Sequence, residues 1–116
     1  MIKLLQTLPI AVLLLIATTL ETSGDAVVRL AIYQHAGSMR AAWLFAGAIL
    51  LLGYAFFLNT APVEFGRIVG LYIATLFVVW QVINFLFFRS LPGLPVLLGG
   101  ALVVAGGLII TFWRPA

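Results

Sequence analysis

Four apolar stretches, each long enough to cross a bilayer, take up most of this chain and leave little sequence between them. The hydrocarbon core of a membrane is ~30 Å thick and a helical residue rises ~1.5 Å, so about 20 apolar residues make one crossing. The stretches run from about 8 to 32, 41 to 58, 65 to 88 and 95 to 113. The connections carry turn chemistry: Gln34, His35, Gly37 and Ser38 in the first, Asn59, Thr60 and Pro62 in the second, Arg89, Ser90, Pro92 and Gly93 in the third. Backbone groups left unpaired in lipid cost several kcal/mol each, so only helices or a closed barrel suit such runs. The two-residue alternation of a barrel strand is missing. The expectation is an all-α membrane protein, a single transmembrane domain over 1–116 with four helices.

Composition supports this and removes other classes. Of 116 residues, 65% are hydrophobic and 8% charged, whereas a soluble domain carries roughly 25% charged residues to face water. With no cysteine and one histidine, His35, neither a disulfide framework nor a metal site within one chain is expected, and no cofactor is implied. No nucleophile–base pair appears, so the chain does not read as an enzyme. The net charge of +3 comes from scattered Lys and Arg, which suits lipid headgroups and gives nucleic-acid binding no support. Lys3 ahead of an apolar run also fits a signal peptide, but the run enters Thr18, Thr19, Leu20, Glu21 without a small-x-small cleavage site.

Charge placement speaks to orientation. In alternating helices, Lys3 and Arg114 fall on one side, with Arg67 if it sits near its helix end, and Arg40 and Arg89 on the other, with Arg29 on the same condition. Insertion direction follows a Lys/Arg imbalance, and here the sides are equal. The chain is therefore expected to insert both ways up and to pair with a second copy of itself as an antiparallel homodimer.

The first span carries the chemistry. Thr18, Glu21, Thr22, Asp25 and Arg29 recur at helical spacing and form one stripe. An ionisable group at mid-bilayer costs ~2.5–3.5 kcal/mol or more, so it normally faces a bundle interior or a wet cavity. Glu21 lies nearest mid-span and is the candidate proton and substrate site. A carboxyl that can hold either a proton or a cation exchanges one for the other, which is the physical basis of antiport. Asp25 precedes Arg29 by four residues, the favourable order for a helix ion pair, and that pair is read as structural. The plain alternative for Glu21 is a structural hydrogen bond or ion pair.

The third span opens with Glu64, Gly66, Arg67, Gly70 and Tyr72, of which Glu64, Arg67 and Tyr72 are candidate substrate or ion-pair contacts. Glu64 and Arg67, one turn apart, either pair near the interface or leave Arg67 to meet Glu21 or an anionic substrate group. Gly66 and Gly70 form a GxxxG pair that admits another backbone. Gln81 and Asn84 are expected to bridge helices. In the fourth span, Gly99, Gly100, Gly106 and Gly107 are read as one packing face for a second copy. Some of the aromatics, Trp43, Tyr54 and Trp80 among them, are candidates for a cation-binding wall through their ring faces, and most read as lipid-facing or interfacial anchors.

These residues resemble the small multidrug resistance family. The likeness lies in length, four spans, a lone central glutamate in the first, Glu21-x2-Gly24-x4-Arg29, Pro62 before the third span, and Gly106-Gly107-Leu108-Ile109-Ile110. The resemblance implies Glu21 as the shared site for proton and substrate in an antiparallel dimer. It departs where drug-exporting members carry aromatic residues around the glutamate, since Gly47, Arg67 and Gly70 stand at those positions. The family's glycine-rich kink falls on Leu71-Tyr72-Ile73, which has no glycine. The pattern Pro62-x3-Gly66-Arg67-x4-Tyr72 looks closer to the YnfA-type branch. The expected function is a proton-coupled exporter of small organic cations in a bacterial inner membrane. The rivals are a non-transporting or heteromeric membrane subunit, and a flippase or exporter of an anionic or lipid-linked substrate.

Overall fold

The computed structural model describes residues 2–7 and 9–113. Its helices are α1 (Ile2–Gln6), α2 (Ile10–Gln34), α3 (Gly37–Asn59), α4 (Phe65–Phe88) and α5 (Leu94–Phe112), with no strand among the described residues. Four of them are long and apolar enough to cross a membrane, which makes the chain a multi-pass membrane protein by helix length and composition.

Two boundaries differ from expectation for definable reasons. The first span is preceded by a separate short helix, α1, which carries Lys3. Pro9 separates the two, with an extended backbone at φ −55° and ψ 142°. Its ring and missing N–H forbid a helix interior, while its carbonyl accepts the first N–H groups of α2, from Val12 and Leu13. The second span begins at Gly37 instead of 41, because Ser38 and Arg40 form the polar first turn of α3 rather than a loop. Only His35 and Ala36 join α2 to α3, and the reversal uses Gly37 at φ +60°, a conformation open to glycine. Leu8, where the first span was expected to start, and Arg114, counted among the charges, lie outside the described residues.

Met1–Ala61 and Pro62–Ala116 are two compact units. In the first, α2 packs against α3. A Cβ added to Gly24 would lie 2.9 Å from Leu51 and 3.2 Å from Leu50 Cβ, and one on Gly47 would lie 2.6 Å from Val28 Cγ2. The two backbones approach closely at these glycines. Gly47 stands where the resemblance led one to look for an aromatic side chain, and the close packing against Val28 leaves no room for one. At the connection, Arg40 closes the end of α2. Its Nε donates to the carbonyls of Ala31 (3.2 Å) and His35 (3.1 Å), and its Nη2 to that of Ile32 (3.2 Å). The last carbonyls of a helix have no intrahelical donor, and a cation suits that end of the helix dipole. The His35 ring stacks on Trp43 at 4.5 Å beside it.

In the second unit, α4 packs against α5. Gly70 and Gly107 meet: a Cβ on Gly70 would lie 2.6 Å from Ile110 Cβ, and one on Gly107 would collide with the Gly70 carbonyl oxygen. Gly100 lies against the Phe77 ring, with no room for a Cβ. Arg67, in the first turn of α4, donates from Nη2 to the Thr111 carbonyl at 3.2 Å. That carbonyl would otherwise await the N–H of residue 115, which is proline and has none. At its far end α4 stops on Arg89, whose left-handed backbone (φ 53°) closes the helix with its N–H on the Phe85 carbonyl.

Candidate functional site

The polar stripe lies on the most buried of the long helices. In α2, 39% of the most apolar window is buried, against 6% in α3 and 11% in each of the other two. Thr18 and Thr22 are buried at 0% and 2% exposure. Their hydroxyls share the stripe with Glu21, yet both turn back onto their own helix. Thr18 Oγ1 donates to the Leu14 carbonyl at 2.7 Å and Thr22 Oγ1 to the Thr18 carbonyl at 2.8 Å. A threonine inside a helix satisfies its hydroxyl in this way when lipid or protein replaces water. The two threonines flanking Glu21 on the stripe therefore have hydroxyls that are already committed.

Glu21 itself is half-buried, and its Oε2 atom is wholly buried with no hydrogen-bond partner. Asp25, one turn later, lies within electrostatic reach of it. The expected ion pair of Asp25 with Arg29 does not form among the described residues. Arg29 is exposed and places its guanidinium 5.1 Å from the centre of the Tyr33 ring, four residues further along α2. An exposed guanidinium gains from an aromatic face without giving up its contact with water or headgroups. The outcome is two carboxyl groups one turn apart, neither joined to a cation among the described residues. Tyr54, on α3, lies within electrostatic reach of both. The sequence leaves Tyr54 among aromatics that either wall a cation site or anchor at lipid; its spacing of seven residues from Gly47 is the signal that singles it out.

The second unit distributes its candidates differently. Glu64 is exposed and precedes α4, its carbonyl accepting the N–H groups of Arg67 and Ile68. No ion pair joins Glu64 to Arg67 among the described residues. Arg67 instead serves the end of α5. Tyr72 is buried, at 9% exposure. Gln81 and Asn84, expected to bridge helices, make no hydrogen bond among the described residues, and Gln81 borders an open apolar groove with Phe77, Trp80 and Val103. The four glycines of α5 fall into two pairs. Gly100 and Gly107 are buried against α4, whereas a Cβ on Gly99 or Gly106 would meet nothing within 4 Å. Neighbouring residues point ~100° apart on a helix, so the two pairs make two adjacent stripes instead of one face. Only Gly99 and Gly106 remain open for a second copy.

What this arrangement can do chemically is limited and specific. A buried carboxyl oxygen without a donor is costly as an anion and much less so as a neutral acid. Such a group can take up a proton or bind a cation, and the two compete for it. Among the described residues no cluster of His, Asp and Glu is suited to hold a metal. Comparison with protein-family models, with curated proteins and with solved structures gives no match.

Proposed function

We propose that the chain is a proton-coupled exporter of small organic cations, exchanging a proton for its substrate at Glu21. The observation that carries this reading is the Glu21 carboxyl, with Oε2 buried and unpartnered on a helix of membrane-spanning length. An ionisable group kept at that depth without a structural partner is unfavourable for folding and is retained for what it binds. The likeness to the small multidrug resistance family supports the same role, as does its preference for a lone glutamate in the first span. The working unit is an antiparallel homodimer in a bacterial inner membrane. The balanced Lys and Arg placement and the open Gly99–Gly106 stripe support that assembly.

The rival readings have less in their favour. A non-transporting subunit needs Glu21 neutralised by Arg29 or Arg67, yet Arg29 lies over Tyr33 and Arg67 donates to Thr111. An exporter of anions would use Arg67 as a headgroup contact, whereas the contact this side chain makes is from Nη2 to the Thr111 carbonyl at the end of α5. The test is proton release from purified protein when a small organic cation is added. Native protein is expected to release protons and Glu21→Gln to release none. Release that survives Glu21→Gln removes the proposal.

A further inference from the structure

The contacts between α2 and α3 set a register. Val28 lies against Gly47, Gly24 against Leu50 and Leu51, and Leu20 faces Gly53 at 3.5 Å from an added Cβ. Moving toward the start of α2 therefore means moving toward the end of α3. Glu21 shares the α2 face of Gly24 and Val28, three and seven residues away. Tyr54 shares the α3 face of Gly47 and Leu51, seven and three residues away. The two side chains belong to the same level of the same seam, one turn beyond the Gly24 contact. Electrostatic reach between Tyr54 and both Glu21 and Asp25 agrees with that register.

A carboxyl that loses its proton in this seam needs a donor. Thr18 and Thr22 are committed to carbonyls of α2, and Arg29 is turned to Tyr33. On α3, every residue strictly between Trp43 and Asn59 other than Tyr54 is apolar or glycine. Arg40, the other ionisable group of α3, lies about 21 Å along the helix from Tyr54 at ~1.5 Å per residue, bound to the end of α2. Among the described residues of these two helices, Asp25, one turn along α2, and Tyr54, across the seam on α3, are thus the titratable groups near Glu21.

We propose that Tyr54 is a positioning residue of the Glu21 site, its hydroxyl donating to the carboxylate after the proton leaves and holding it in the α2–α3 seam until a cation binds. This rests on the reading of Glu21 as the exchange site. The aromatic ring packs; the hydroxyl does the positioning. Tyr54→Phe keeps the first and removes the second.

The experiment is a pH titration of the carboxyl infrared band of the purified protein in lipid, with Glu21→Gln used to assign the Glu21 component. Losing a hydrogen bond to a charged group displaces a titration midpoint by about one pH unit or more. Tyr54→Phe is expected to show that displacement, and Tyr33→Phe, at the exposed end of α2, to leave the midpoint in place. A fluorinated tyrosine at position 54, a stronger donor of nearly the same shape, is expected to displace it in the opposite sense to Tyr54→Phe. This second substitution decides the matter if Tyr54→Phe does not fold. A midpoint unmoved by either change, with Glu21 still titrating, overturns the role of Tyr54 and leaves the exchange site standing. A Glu21 band that never titrates overturns both.

Discussion

The two helical hairpins are closed by the same devices and differ in what they carry. In each, glycines bring two backbones together: Gly24 and Gly47 in α2–α3, Gly70 and Gly107 in α4–α5. In each, an arginine from the first turn of one helix donates to the last carbonyls of its neighbour, Arg40 to α2 and Arg67 to α5. The first hairpin adds Glu21 and Asp25 within the helical run. The second has no acid inside either helix; Glu64 precedes α4. Since the second closes without buried carboxyls, such a hairpin does not need them for packing. The acids of the first are an addition to the shared scaffold, and Glu21 Oε2 is buried there without a hydrogen-bond partner. That difference is the main physical reason for assigning Glu21 a function.

The comparison breaks hardest at the glycines. Gly107→Val is expected to disrupt α4–α5, because the new side chain meets the rigid Gly70 backbone. A loss of roughly 3 kcal/mol, or of folded protein altogether, should appear in thermal unfolding in detergent. Gly47→Ala should cost less, about 1–2 kcal/mol, because its nearest obstacle is the Val28 side chain, which has some freedom to shift. Equal effects at the two seams would mean that the hairpins do not close by glycine contact in the way described.

The arginines sharpen it next. Arg40→Met and Arg67→Met should each lower the unfolding temperature, corresponding to about 1–2 kcal/mol for lost charge-assisted hydrogen bonds at a helix end. Neither change should abolish proton release. If Arg67→Met spares stability and abolishes release, Arg67 belongs to the site and the parallel between the hairpins fails. A smaller gain is expected at Arg89, whose left-handed backbone costs an L-residue about 1 kcal/mol. Arg89→Gly should raise the unfolding temperature slightly, and a drop would show that the Arg89 side chain matters more than its backbone. The smallest effect on the fold is at Gly106→Leu, which meets open space within the chain. Its unfolding should be unchanged while cross-linked dimer decreases; full dimer yield would take the Gly99–Gly106 stripe out of the assembly.

Much of this fold is legible in the sequence because the bilayer reduces the problem to length and polarity. Four runs of about 20 apolar residues have one economical solution, and the helices follow them. The ends are less legible: Ser38 and Arg40 look like a loop but begin α3, and Pro9 hides a separate α1. Within the site, Glu21 stands out by depth alone. The partners of the arginines do not. Arg29 has Asp25 four residues before it and Tyr33 four residues after it, and spacing does not choose between them. Arg67 finds its acceptor 44 residues away, beyond any local pattern. The seven-residue repeat in α5 was visible, but the single-residue offset that separates Gly99 and Gly106 from Gly100 and Gly107 matters only once α4 is in place.

The central claim is that one carboxyl trades a proton for a cation. Its most direct measurement is the pH of a weakly buffered detergent solution of purified protein when a primary amine, a quaternary ammonium or a guanidinium compound is added. The account predicts acidification by the native protein with at least one of these cations. Asp25→Asn should retain acidification, and Glu21→Gln should show none while remaining folded and dimeric. Acidification of equal size from Glu21→Gln would contradict the account.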